Sequence, residues 1–396
     1  MSGRPIEPLP LAVGGLIALA VAVGVGRFIY TPILPPMVEA LGLTKSEAGL
    51  IASANFAGYL AGALCATLPW GKDNPRRALL LFLGLSGLST AAMALGHSTL
   101  MFSILRGVGG FASAYVLVLA SSLVLGRLGR AGAGNLSYVH FAGVGVGIAG
   151  SALLVWALAA VGADWRAMWL WSGLCAMISA VFVVRLVPPD DAAIATAQRT
   201  PAADVRNKRA LMQLSAAYGL FGFGYVITAT FIVAIVRASP SARAIEPVFW
   251  LIVGVVAIPS VWLWVQAGRR LGAPRAFAVA SALLGLGVIA SVVSTTVLAL
   301  ALSCVLLGGT FMGVTALGLI GVGELAPEAR DTWIAIATSA FSVGQIAGPL
   351  AAGYGYDLTE SFLLPSLMAA AALAVGAGLT FNLGPDRTEA QTTTNA

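Results

Sequence analysis

Residues 9–37 read LPLAVGGLIALAVAVGVGRFIYTPILPPM, an apolar run long enough to cross the ~30 Å of hydrocarbon in a bilayer as a helix. The run is too long for a secretory leader and carries no convincing cleavage site, so it is read as a retained helix. Its one charge is Arg27. A guanidinium at the bilayer centre costs about 2.5–3.5 kcal/mol on insertion scales, so a water-filled cavity, a partner group or an anionic ligand has to offset it.

The rest of the chain repeats this character. Of 396 residues, 59% are hydrophobic and only 10% charged, and the mean hydropathy of +0.92 is far above that of soluble proteins of this length. Apolar runs recur near residues 9–37, 48–70, 78–96, 99–125, 132–161, 167–184, 214–236, 247–268, 276–293, 297–323, 333–353 and 362–383. They are rich in Gly, Ala, Leu and Val without alternating polarity, which predicts helices rather than barrel strands. The expected fold is an all-α integral membrane protein of twelve transmembrane helices.

Basic residues set the orientation. With a cytoplasmic N-terminus, the cytoplasmic segments hold 16 of the 22 Lys and Arg, and the outer segments hold four: Lys45, Arg166, Arg237 and Arg243. This positive-inside bias places both termini in the cytoplasm and makes nucleic-acid binding an unnecessary account of the +6 net charge. Cys65, Cys175 and Cys304 lie apart within apolar runs, so neither a disulfide framework nor a zinc site is expected.

One long polar stretch, PPDDAAIATAQRTPAADVRNKR at 188–209, divides the spans six and six. The domains expected are an N-terminal bundle (1–188), a cytoplasmic connector (189–209), a C-terminal bundle (210–383) and a cytoplasmic tail (384–396). The halves match at an offset of 198 residues. Gly24-Val25-Gly26-Arg27-Phe28-Ile29 lies opposite Gly222-Phe223-Gly224-Tyr225-Val226-Ile227, Ile148-Ala149-Gly150 opposite Ile346-Ala347-Gly348, and Arg77-Ala78 opposite Arg275-Ala276. Two pseudo-symmetric bundles with a site between them are an organisation of secondary transporters, which work by alternating access.

The whole chain resembles the major facilitator superfamily. Gly26-Arg27-Phe28-Ile29-Tyr30-Thr31-Pro32-Ile33-Leu34-Pro35 and Gly222–Ile232 are similar to the first- and seventh-helix motifs of its YbfB/YjiJ group. The resemblance implies a carrier in the inner membrane, expected to be monomeric. In that family the loop after the second helix is a gate, here Lys72, Asp73, Arg76 and Arg77, with Gly71 where the usual Asp would align. The Gly-rich stretch 143–150 lacks the Gly-Pro pair of antiporters. Leu105-Arg106-Gly107 resembles the fourth-helix arginine motif, which implies a part in proton coupling for Arg106; a structural anchor between helices is the other reading.

Candidate binding residues follow from helical spacing. Arg27, Tyr30 and Thr31 share a face of span 1, ahead of Pro32, Pro35 and Pro36, which free carbonyls and bend the helix. Arg27 is read either as an anion site in a cavity or as tied to backbone carbonyls. Asn55 and Tyr59, Arg106, Tyr138, Tyr218, Tyr225 and Thr228, and Gln345 are further lining candidates, and each also serves as interhelical glue in the alternative reading. Arg27 with its repeat-mate Tyr225 is the pair expected to face the cavity from both halves.

No Asp or Glu falls inside a span, and Glu39 and Glu324 at span ends are the nearest. His140 is the one imidazole within a span, read as a proton carrier or as a packing residue. Two buried cations without a buried anion suit a small anionic or amphipathic organic solute. No Walker lysine motif is present, and no carboxylate pair, metal cluster or activated nucleophile sits in the spans, so an ATP-driven pump, an enzyme and a cofactor are not expected. The rival expectations are an efflux carrier for drugs or metabolites with a mainly apolar cavity, and a non-transporting receptor on a carrier scaffold.

Overall fold

The computed structural model describes residues 7–66, 74–188 and 207–383. Lys72 and Asp73, most of the expected connector and the expected tail lie outside the described residues. Twelve helices are long and apolar enough to span a membrane, and no strand occurs among the described residues. They are α1 (Pro8–Leu41), α2 (Lys45–Cys65), α3 (Pro75–Leu95), α4 (Thr99–Arg130), α5 (Gly134–Ala160), α6 (Trp165–Leu186), α7 (Lys208–Ala238), α8 (Arg243–Leu271), α9 (Ala273–Val293), α10 (Val297–Leu325), α11 (Arg330–Thr359) and α12 (Leu363–Phe381). Lys208 and Arg209, expected in the connector, already belong to α7.

Local chemistry fixes the helix ends. Gly42 at φ 65° turns the chain out of α1 in a conformation that residues with a Cβ rarely adopt. Thr44 then opens α2 with a capping box closed by Glu47. Asn74, Ser98, Asp164 and Thr296 cap later helices with side-chain oxygens, each satisfying a backbone N–H that the first turn leaves free.

The helix contacts repeat between the halves. α1 lies on α5 as α7 lies on α11, α2 on α4 as α8 on α10, and α3 on α6 as α9 on α12. The halves then meet through α2 on α11, α5 on α8, and the second part of α1 on α7. Each member of this list has its counterpart at the 198-residue offset, so the two six-helix bundles are related by a pseudo-twofold axis between them. Outward-facing apolar side chains such as Leu88, Trp171 and Leu298 are exposed around the periphery, as lipid-facing residues are.

We call the side that carries Glu7 and Leu383 the terminal face and the opposite side the distal face. The ties between halves lie at mid-depth or toward the distal face. Thr31 Oγ1 donates to Ala229 O at 2.7 Å, Ser53 Oγ to Ile346 O at 2.7 Å, and Trp250 Nε1 to Ser151 Oγ at 3.3 Å. At the distal rim Lys45 N and Ser46 N donate to the Asp357 carboxylate, and Arg237 Nη1 bonds Glu39 Oε2 at 3.1 Å. The seams are close: a Cβ on Gly49 would stand 2.2 Å from Pro349 O, and one on Gly254 2.3 Å from Ala149 N.

Candidate functional site

α1 is not a regular helix, and its irregularity builds the site. Residues Ala20–Val25 form a π-helical stretch, followed by a turn over 26–29 before the helix resumes at Tyr30. Pro32 has no N–H to give Phe28 O, and Thr31 N bonds that carbonyl instead, at 3.2 Å. Gly26 O and Arg27 O are taken by Arg106 of α4, whose Nη1 and Nη2 donate to them, each at 2.8 Å. Arg106 also lies over the rings of Tyr30 and Trp169, and its own carbonyl accepts from Asn55 Nδ2 at 2.8 Å. Arg106 and Asn55 therefore hold the break in α1 and do not border the cavity, which is the anchor reading.

Arg27 is placed differently. It is 7% exposed, and its Nε and Nη2 have no hydrogen-bond partner. Its guanidinium lies over Phe56 (4.5 Å to the ring centroid), Tyr59 (4.7 Å) and Phe28 (5.5 Å), a cage that steadies the cation by its ring faces without supplying a counter-charge. The side chain borders a cavity of about 180 Å³ between the halves. Tyr59 and Tyr225 border it too, and the space runs toward the terminal face past Phe141, Val261 and Leu319. Arg27 is the one charged residue of its lining.

The C-terminal wall is aromatic. Tyr225 is parallel to Phe341 (2° between planes, centroids 5.9 Å apart) and nearly so to Phe311 (11°, 5.9 Å), while Phe28 meets Phe311 edge-on. Tyr218 and Phe221 continue the stack behind Tyr225. Gln345 Nε2 donates to the Tyr225 hydroxyl, which orients the phenol.

Other sequence candidates lie off the cavity. Tyr30 Oη bonds Ala48 O, Thr31 bonds Ala229 O, and Tyr218 Oη bonds Thr315 O. Thr228 and Gln345 are buried behind the lining, and Tyr138 sits half-buried at the start of α5. His140 is buried between α1 and α4, with Nε2 3.1 Å from Ser121 Oγ and its ring so near α1 that a Cβ on Gly15 would come within 2.3 Å of Nδ1. Glu39 pairs with Arg237 at the distal rim, and Glu324 is exposed at the terminal face. Arg76 donates to Val184 O and Val187 O of its own bundle, and Arg77 N is capped by Asn74, so neither makes a described bond across the halves.

Sequence reasoning passed over Phe28, Phe311, Met312 and Phe341, which line the cavity. An apolar residue facing lipid and one facing a cavity look alike in a hydropathy profile. The usable signal was the stripe of Tyr218, Phe221 and Tyr225 at i, i+3 and i+7, a concentration of rings on one helix face.

The family model described as uncharacterised MFS-type transporter YbfB matches residues 19–381. No curated protein matches the chain in sequence. A similar solved structure is that of a point mutant of the nucleoside transporter NupG, at TM-score 0.73 and 14% identity, covering 93% of this chain and 98% of that one. At that identity the likeness concerns the fold.

Proposed function

Because the chain belongs to the family of MFS-type transporters typified by YbfB, we propose that its cargo is a small organic anion bound at Arg27 and moved by alternating access of the two bundles. The observation that carries this reading is the caged guanidinium with two unpartnered nitrogens, bordering a cavity whose lining holds no acid. A buried cation without a protein counter-charge is unfavourable, and an anionic ligand offsets that cost. The cage holds the guanidinium before the ligand arrives, so little side-chain freedom is lost on binding.

The proposed setting is the inner membrane, with both termini cytoplasmic and the chain working as a monomer. On that orientation the structure is closed to the outside and its cavity runs toward the cytoplasm. Export is the proposed direction, and proton coupling is proposed through His140, whose imidazole contacts the first helix of the same bundle.

The deciding experiment is flux of organic anions into proteoliposomes by the unaltered chain and by Arg27→Gln and Arg27→Lys. The anion reading expects Gln to lose at least about 10-fold in flux, the cost of one charge-assisted contact, with unchanged unfolding temperature, and Lys to retain part of it. Equal flux with Gln would leave an apolar efflux cavity as the better account. Binding without flux would indicate a receptor. An imposed pH gradient tests coupling: flux indifferent to it, or unchanged by His140→Asn, ends that part of the proposal.

A further inference from the structure

We propose that the cargo is a single-ring aromatic monocarboxylate. The proposal narrows the anion reading above and depends on it. Arg27 borders the cavity and its Nε and Nη2 are enclosed without any hydrogen-bond partner, so its charge is left for a carboxylate of the ligand to balance. The same chain shows a half-buried arginine balanced by a carboxylate elsewhere: Arg237 uses Nε and Nη2 to grip the two oxygens of Glu246, at 2.6 and 3.0 Å. At Arg27 the charge is in place and no carboxylate of the cavity lining balances it.

Three features set the remainder of the ligand. Arg27 is the one charge in the lining, so one carboxylate is matched and a second would be left without a partner. The rings of Phe311, Tyr225 and Phe341 are stacked within 11° of parallel at 5.9 Å spacings, inside the range that aromatic pairs prefer. A planar ring in the cavity extends that stack, whereas a puckered ring of the same volume cannot. The cavity volume of about 180 Å³ is slightly above the roughly 150 Å³ that holds one benzene. One ring with its carboxylate fits. The Tyr225 hydroxyl accepts from Gln345, so its own proton is available to the ligand's carboxylate.

Calorimetric titration of the purified full-length protein in lipid nanodiscs tests this with benzoate, cyclohexanecarboxylate, benzamide, phthalate and uridine. Benzoate is expected to bind best. Cyclohexanecarboxylate should be weaker by about 2- to 10-fold, the range expected from stacking, and benzamide and uridine by more than about 10-fold, from loss of the charge that balances Arg27. Phthalate should also be weaker, and Phe341→Leu should bring benzoate and cyclohexanecarboxylate to parity. Arg27→Gln should reduce benzoate to the level of benzamide while leaving benzamide unchanged. Equal binding of benzoate and cyclohexanecarboxylate by the unaltered protein overturns the aromatic class and leaves the anion site standing. Benzamide or uridine binding as tightly as benzoate overturns the anion site as well. The ligand series on the unaltered protein decides both points even if the Arg27 variant does not fold.

Discussion

Two arginines with the same hydropathic surroundings do different work, and the difference lies in what each nitrogen meets. Arg106 spends both terminal nitrogens on the carbonyls of Gly26 and Arg27, whereas Arg27 borders the cavity with its Nε and Nη2 enclosed and unpartnered. Arg106→Leu should therefore destabilise the fold by about 2–5 kcal/mol, since it strips charge-assisted bonds from two buried carbonyls. Arg27→Gln removes no described hydrogen bond and should change stability by less than about 1 kcal/mol. Thermal unfolding of the two purified variants, side by side, checks the contrast. The sequence shows that both arginines sit in apolar spans and need compensation. It does not show which one carbonyls satisfy, because Arg106 reaches 79 and 80 residues back along the chain. Tyr225 and Tyr59 border the cavity as helical spacing suggests, but Phe311 and Phe341 are apolar residues whose facing is decided only when the helices assemble.

Among the helices, α1 is broken by a turn over 26–29 just ahead of its prolines, and the π-helical stretch at Ala20–Val25 lies upstream of every proline after Pro10 and has no residue signature of its own. Just beyond it Gly26 O and Arg27 O are taken over by Arg106 of α4, a tertiary contact. The contact of α4 with α2 depends on the absence of side chains: a Cβ on Gly110 would fall 1.9 Å from Asn55 O, and one on Gly58 1.9 Å from Gly107 O. Gly110→Val must push the two backbones apart and should lower stability by at least about 2 kcal/mol, moving Asn55 off Arg106 O as it does so. Gly150 in α5 has nothing within 4 Å of where its Cβ would stand, so Gly150→Ala should be neutral or slightly stabilising. Unfolding temperatures in one detergent compare the two. The small residues of α2 and α4 announce close packing in the sequence, whereas the partner of each glycine is settled by the crossing of the helices.

Across the whole molecule, the division into six and six spans follows from run length, one polar interruption and the 198-residue offset, because lipid demands contiguous apolar helices whatever their packing. Which end of the assembly is shut is a property of the packed bundles. The distal rim is held by Arg237 on Glu39 and Glu246 and by Asp357 on the first turn of α2. The Glu39 side chain is 57% exposed, and pairs of that kind contribute about 0–1 kcal/mol, so Glu39→Gln should shift the balance toward the distally open form by no more than about fivefold. Arg237→Gln removes the same tie and should shift the balance to a similar extent, while also leaving the more buried Glu246 of its own bundle unpaired. Labelling of a cysteine introduced at Thr31, behind this rim, reports both shifts as changes in its rate of modification from the distal side.

The two ties at Thr31 with Ala229 and at Glu39 with Arg237 each join residues 198 apart. Each therefore links a position to its own copy in the other half, along the line about which the halves are related. In a chain made of two identical copies, such a position would meet itself, acid against acid or base against base. The opposed charges of Glu39 and Arg237 therefore depend on the two halves differing in sequence at this pair, a tie that two identical copies could not form.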